Sequence, residues 1–209
     1  MSTPRRPPTR MTAATCVGVA LLAIPILSTA EPSGSAGAPS GPRVSLGQYH
    51  SCAIDADGGL WCWGWNGCGQ LGDGSTDDAI EPRRIGEHKD WTAIQAGERF
   101  TCGLRAPGTL WCWGKEPGAR NCMQPAKDGK AAKLIKRHVS KPRRVGEDSD
   151  FRAVTAHHRH ACAIKGDGSM WCWGENEGGQ LGNGTKQLQT TPVRVGERSD
   201  WKQVSAGRD

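Results

Sequence analysis

Three segments of the chain share one alternating pattern of apolar and polar positions. Each has a short Cys-containing run, a Gly-containing loop and a second run ending in Trp-Cys-Trp-Gly, over residues 50–64, 100–114 and 160–174. Alternation with a period of two is typical of β-strands, and a short Gly loop between two such runs favours a hairpin. The sequence therefore predicts three tandem β-hairpins, offset by 50 and then 60 residues.

The register of these hairpins follows from the agreement between the copies. If Cys52 lies opposite Cys62, then Ile54 lies opposite Leu60, and the other two copies give the same arrangement. Because side chains alternate along a strand, the Cys and aliphatic pairs share one face and the Trp residues take the other. Gly58 then occupies the left-handed position of a three-residue loop. Its equivalents are Gly108 and Gly168.

Both faces of each hairpin are thus apolar, whereas a sheet with one face in water would alternate apolar with polar residues. Sheets buried on both faces predict units that stack face to face, as in propellers and solenoids. The motif Asn-x-x-Gly-Gln-Leu-Gly follows at Asn66 and again at Asn176. We therefore expect three units over residues 44–209 and one extra strand, a fourth copy of the strand that precedes each hairpin.

The composition agrees with one copied unit that is rich in tight turns. Nine Trp stand against two Phe and one Tyr, and there are 29 Gly. A skewed aromatic set of this kind indicates repetition, and frequent Gly suits short strands with little helix.

The N-terminus has the pattern of a secretory signal peptide. Three Arg precede an uncharged, mostly apolar run over residues 12–27, and small residues end at Ala30. We predict a signal peptide over residues 1–30 and a Gly/Ser/Pro linker over residues 31–43, which places the protein outside the cell, in the periplasm or at the cell surface. An uncleaved membrane anchor is the alternative. Cleavage would remove three Arg and lower the formal net charge from +6 to +3.

Eight Cys remain after the predicted cleavage, and an even number in an exported chain indicates disulfides. Opposed Cβ atoms lie about 4.5–5.5 Å apart, close to the separation of about 3.5–4.5 Å that a disulfide needs. Zinc is the alternative, although closely spaced CxxC pairs are absent. The predicted hairpin disulfides are Cys52–Cys62, Cys102–Cys112 and Cys162–Cys172. The two remaining Cys lie in equivalent loops, and we expect an inter-blade disulfide, Cys68–Cys122.

These motifs resemble the regulator of chromosome condensation repeat family, a superfamily that includes alpha-tubulin-suppressor-like and β-lactamase-inhibitory propellers. The resemblance covers residues 44–209. It implies an all-β fold in which each four-stranded sheet is one blade of a seven-bladed β-propeller, so that this chain would hold part of a ring. The family's founder is a nuclear exchange factor for a small GTPase, an activity not expected of an exported chain. Exported bacterial members, one of which inhibits β-lactamases, imply protein recognition.

The second unit departs from the pattern because it lacks Gly-Gln-Leu-Gly and carries a longer, basic insert. Between Lys115 and Arg144 there are ten Lys/Arg and two acids. This insert is a candidate site for an acidic partner or an anionic surface, and a solvated loop is the alternative. Its candidate binding residues are Lys130, Lys133, Lys136 and Arg137.

The chain stops where the next hairpin would begin. A repeat array with a bare end exposes apolar sheet. We therefore expect either a truncated reading of a longer gene or a dimer whose two halves complete one ring.

Trp65 is the one Trp outside the repeat positions. It aligns with Lys115 and Glu175, so this position tolerates solvent, and Trp65 is a candidate anchor for a partner protein or a sugar. Partial burial against the neighbouring loop is the alternative. His157 and His158 are adjacent on a predicted strand and would point to opposite faces, which disfavours a shared metal.

No catalytic arrangement of Ser, His and Asp stands outside the repeat positions, so we predict no catalytic residue, metal or cofactor. The predicted function is an exported propeller-type scaffold that binds a protein or another ligand without catalysis of its own. The alternative is a carbohydrate-directed surface protein or enzyme, which would need a pair of carboxylates off the repeat pattern. Nucleic acid is not expected as a partner of an exported chain.

Overall fold

The computed structural model describes residues 43–119, 122 and 138–208. The predicted signal peptide, nearly all of the predicted linker and most of the basic insert lie outside the described residues. The insert residues concerned include Lys130, Lys133, Lys136 and Arg137. No helix that is long and apolar enough to cross a bilayer occurs in the described part of the chain.

The described residues form twelve strands that are joined by turns and loops. They are β1 (Val44–Leu46), β2 (His50–Ile54), β3 (Leu60–Gly64), β4 (Ala79–Arg84), β5 (Trp91–Ala96), β6 (Phe100–Arg105), β7 (Thr109–Lys115), β8 (His138–Arg144), β9 (Phe151–His157), β10 (His160–Lys165), β11 (Met170–Gly174) and β12 (Gln189–Arg194).

The strands form three antiparallel sheets of four, β1–β4, β5–β8 and β9–β12, each in chain order. Each sheet is one blade, which confirms the predicted all-β repeat fold. Cys52 faces Cys62 and Ile54 faces Leu60 in the first blade. The equivalent residues face each other in the other two blades, so the predicted register is confirmed.

The hairpin turns of the first and third blades have the predicted left-handed glycine. The φ angle is 79° at Gly58 and 81° at Gly168. A Cβ atom at Gly58 would lie 2.2 Å from the carbonyl oxygen of Lys89, so the close approach of the next blade excludes a side chain as well. The second turn differs, because the Ala106–Pro107 bond is cis and Gly108 has a φ of 148°.

The blades stack face to face, as the sequence predicts. The Cys-bearing face of each blade packs against the Trp-bearing face of the next, which leaves Trp113 and Trp173 only 2% and 4% exposed. The first interface includes Cys52, Leu60, Cys62 and Leu71 from one blade and Trp91, Ile94 and Trp113 from the next. The second includes Cys102, Leu104 and Leu110 on one side and Phe151, Val154 and Trp173 on the other.

The predicted extra strand at the end of the chain is not formed. Residues 201–208 have no strand pairing, because a strand needs a hydrogen-bonded neighbour and none of the described residues pairs with them. The segment still takes the place of a blade's first strand. The Trp201 N–H donates to the Gly168 carbonyl at 3.1 Å, as the Trp91 N–H donates to the Gly58 carbonyl at 3.2 Å.

Candidate functional site

One end of the blades carries the positions at which the three copies differ. In each copy, the residue after the Trp-Cys-Trp-Gly motif donates its N–H to the carbonyl of the residue before the second strand. The pairs are Trp65 to Tyr49 at 2.9 Å, Lys115 to Arg99 at 2.8 Å and Glu175 to Arg159 at 3.1 Å. The backbone is therefore the same three times, while the donor residue differs in every copy and the acceptor is Tyr once and Arg twice. The fold does not dictate these side chains, so they are available for function.

These pairs and two neighbouring residues form a continuous surface, which we call the variable ridge. Its residues are Tyr49, Trp65, Glu98, Arg99, Lys115, His158, Arg159 and Glu175.

The first part of the variable ridge is aromatic. The rings of Tyr49 and Trp65 meet edge to face, with centroids 5.5 Å apart. The guanidinium of Arg99 lies 5.8 Å from the first ring and 5.6 Å from the second, within the range of cation–π attraction. Trp65 also folds over Gly67, where a Cβ atom would lie 2.4 Å from the indole. Trp65 is consequently half-buried, while Tyr49 is 43% exposed.

The second part of the variable ridge is an ion cluster around the buried carboxylate of Glu98. Arg159 Nε lies 2.9 Å, Arg99 Nε 3.1 Å and His158 Nε2 3.6 Å from its oxygens. Arg159 also contacts Glu175 at 3.2 Å. Burial alone would raise the pKa of Glu98, but the hydrogen bond and charge of Arg159, with the charges of Arg99 and His158, bring it below its ordinary value. Glu98 is therefore a fixed anion that joins the second blade to the third.

Lys115 lies at the edge of this cluster, with its Nζ 3.8 Å from Glu175 and its side chain only 7% exposed. Burial lowers the pKa of Lys115, and the charge of Arg159 lowers it further. The cavity beside it, walled by Trp113 and Trp173, has a volume of about 60 Å³. That volume holds a few water molecules, far less than a sugar or a nucleotide requires.

The structure brings together all four Cys pairs that were expected to form disulfides. Within the hairpins, the Cα atoms of the paired Cys are 4.0 to 4.1 Å apart. Cys68 and Cys122 are 5.1 Å apart between their Cα atoms, and both are buried. This bond ties residue 122 of the insert to the loop that follows Trp65.

The two adjacent histidines do not lie on one strand, so that expectation was wrong for the second of them. Strand β9 ends at His157, and His158 lies in the following turn with a φ of 40°. His158 instead faces Glu98 across the blade boundary. In the ranges that the structure describes, no group of three or more His, Cys, Asp or Glu is arranged to hold a metal ion.

Asn66 organises the loop that follows Trp65, a role that the sequence pattern signalled only by repeating the residue. Its side-chain N–H₂ donates to the carbonyls of Ser75 at 3.2 Å and Asp77 at 3.1 Å, and its side-chain oxygen accepts the Leu71 N–H at 3.0 Å. Asn176 makes the same contacts in the third blade. The loop is therefore held by the repeat, while the ridge residue before it is free to vary.

Two models of the regulator of chromosome condensation (RCC1) repeat match the chain, one over residues 57–104 and 167–209 and the other over residues 43–70. Together they cover just over half of its length. The chain belongs to the RCC1 repeat family.

Relatives with this RCC1 repeat include much longer proteins. The human E3 ubiquitin-protein ligase HERC2 is 26% identical over 149 residues, which are 69% of this chain and 3% of HERC2. The X-linked retinitis pigmentosa GTPase regulator homolog of Caenorhabditis elegans is 39% identical over 49 residues, 22% of this chain and 4% of that protein. The chain thus spans only a few per cent of these relatives.

Solved RCC1-type structures show the same fold. Prp20p from Saccharomyces cerevisiae, studied for its binding to Gsp1p and histones, has 25% identity and a TM-score of 0.59, covering 74% of this chain and 38% of Prp20p. Human WBSCR16 has 20% identity and the same TM-score, with the same coverage of both chains. This chain therefore corresponds to less than two fifths of either structure.

Proposed function

We propose that this RCC1-repeat protein is an exported scaffold that binds a partner protein through the variable ridge and performs no catalysis of its own. The observation that carries the proposal is the contrast between a backbone hydrogen bond repeated three times and a donor residue that changes each time, from Trp65 to Lys115 to Glu175. The ridge combines Tyr, Trp and Arg, the residue types enriched at the energetic centres of protein interfaces. Trp65 is the proposed anchor.

Export is supported by the signal-type N-terminus and by the four Cys pairs. Disulfides persist in oxidising compartments such as the periplasm and the extracellular space. Protein recognition is supported by the relative Prp20, which has been solved bound to Kap60. The basic insert follows the ridge residue Lys115 in the sequence, and its Lys and Arg residues remain proposed binding residues for an acidic partner. They include Lys130, Lys133, Lys136 and Arg137.

A carbohydrate-cleaving enzyme fits the ridge less well. Glu98 and Glu175 are carboxylates off the repeat pattern, the feature such an enzyme would need, but both bind Arg159. A glycosidase acid requires a raised pKa, whereas the pKa of Glu98 is lowered. Glu98 therefore cannot serve as the proton donor at neutral pH.

Capture of partners from the extracellular fraction tests the proposed function. The bait is the full chain, compared with Trp65→Ala on the ridge and with Val44→Ala as a control. Val44 is 55% exposed on β1 and pairs with Ala53, near the hairpin turn at the other end of the blade. We expect a partner that wild type and Val44→Ala retain and Trp65→Ala loses. The absence of any partner above background, or equal loss in both variants, would refute the proposal.

A further inference from the structure

The chemistry of the variable ridge points to the kind of segment that it binds. We infer that it recognises an acidic stretch of a partner protein in which carboxylates alternate with apolar side chains. This inference rests on the proposed function and adds the partner's chemistry to it.

The ion cluster is layered at Arg159, whose guanidinium lies outside the two carboxylates that it contacts. The Arg159 side chain is 42% exposed, whereas that of Glu98 is 6% and that of Glu175 is 25% exposed. A guanidinium has five N–H donors in one plane, and Arg159 directs two of its nitrogens, Nε and Nη1, to these two carboxylates. An incoming carboxylate therefore meets cations before it meets the anions that hold them.

The ridge also has more fixed positive than negative charge. Among the described ridge residues, Arg99, Lys115 and Arg159 stand against Glu98 and Glu175. An excess of this sign attracts and orients an acidic partner.

At the turn end of the blades, the ion pairs between described residues contain as many negative as positive side chains. Asp and basic residues there are matched one to one at distances of 2.8 Å. These pairs are Asp90–Arg105, Asp148–Lys165 and Asp200–Arg198. Charge complementarity therefore selects the variable ridge and not the other end of the blades.

The aromatic part of the ridge supplies the apolar contact. Tyr49 and Trp65 lie directly beside Arg99, so a partner's aliphatic side chain on the rings would place the next carboxylate near the guanidinium groups. Aromatic rings with a polar edge bury large area at little entropic cost and favour such mixed contacts.

Fluorescence anisotropy with a labelled peptide of alternating Glu and Leu tests the inference on the full chain. We expect binding that weakens with added salt and falls by about tenfold in Arg159→Gln and in Tyr49→Ala. Arg198→Gln is the matched control, because Arg198 is 70% exposed and ion-paired at the opposite end. It should leave the affinity unchanged. Arg159→Lys keeps the charge, and thermal unfolding of each variant shows that it is folded.

Three probes define the outcomes that overturn the inference. They are a Lys/Leu peptide, a single-stranded oligonucleotide of equal charge and vesicles of anionic phospholipid. Binding of any of them as tightly as the Glu/Leu peptide, or peptide binding that survives loss of both Arg159 and Tyr49, contradicts it. If a captured partner is lost with Trp65→Ala while the Glu/Leu peptide does not bind, the acidic chemistry is wrong and the scaffold function stands.

Discussion

The two ends of the blades behave differently across the three copies. At the turn end, the hairpin glycine accepts a hydrogen bond from the first residue of the following segment, an aromatic residue each time. The donors and acceptors are Trp91 to Gly58 at 3.2 Å, Phe151 to Gly108 at 3.0 Å and Trp201 to Gly168 at 3.1 Å. At the ridge end, the donors of the equivalent backbone hydrogen bonds are Trp65, Lys115 and Glu175. At these hydrogen-bonded positions, the turn end repeats an aromatic donor, and the ridge end changes the donor in every copy.

This difference shows where blade-to-blade packing is specified. At the turn end, the hydrogen bonds to the hairpin glycines run from each following segment to the preceding blade. Within each of the last two blades, a cation lies over two rings: Arg105 over Trp91 and Trp111, and Lys165 over Phe151 and Trp171. With the turn end and the core held in this way, the ridge end can vary without loss of the fold. A surface that varies on a fixed scaffold is the arrangement expected for recognition.

The largest loss of stability should come from a substitution in the hairpin turn at the turn end of the blades. Gly58→Ala adds a Cβ atom 2.2 Å from the Lys89 carbonyl and places Ala at a φ of 79°. We expect a loss of about 3 kcal/mol in the free energy of unfolding, measured by urea denaturation, because strain and a backbone clash act together.

Gly86→Ala separates these two causes. Gly86 has a similar φ of 64°, but its added Cβ would have no atom within 4 Å. Its loss should be only about 1 kcal/mol, the cost of the left-handed backbone alone. Equal losses for Gly58→Ala and Gly86→Ala would show that the close approach of the blades at the turn contributes nothing.

The hairpins were predictable from the sequence because their geometry is local. Period-two alternation and a three-residue Gly loop leave one register, and three copies agreed on Cys52 opposite Cys62. Stacking also followed, since a hairpin that is apolar on both faces must bury both. The final strand over residues 204–207 was predicted from the same pattern but is not formed, because a strand requires a hydrogen-bonded neighbour that the pattern does not itself supply.

The variable ridge was not predictable in the same way. Glu98 and Arg159 are 61 residues apart in the sequence, and their contact depends on how one blade sits against the next. Repeat alignment singled out Trp65 but could not show that Arg99 of the following blade covers its ring. Positions that break a repeat are thus visible in the sequence, whereas the partners they find across blades require the structure.

An effect of intermediate size should appear in the stability contribution of Glu98, which should depend on pH. The folded-state pKa of Glu98 lies below its ordinary value of 4.5, so its ionised form stabilises the fold above that pH. This contribution is lost as pH falls through the lowered pKa. We expect the stability difference between wild type and Glu98→Gln, measured by thermal unfolding, to be on the order of 1 kcal/mol at pH 6 and to shrink toward pH 3. A difference that stays constant with pH would exclude this role for the Glu98 charge.

The smallest effect should come from exchanging a ridge residue for its counterpart in another copy. Trp65→Lys introduces the residue type of position 115, where the same backbone bond carries Lys, and removes a half-buried ring that contacts Tyr49 and Arg99. We expect a loss of less than about 1 kcal/mol in the free energy of unfolding, measured by urea denaturation.

Trp113→Lys is the comparison, because Trp113 is 2% exposed and donates its indole N–H to the Gln70 carbonyl at 2.8 Å. It should cost about 3 kcal/mol, as much as Gly58→Ala, since a large ring is lost and a charge is buried. Similar losses at the two positions would mean that the ridge is part of the fold after all, and its variation would then be no guide to binding.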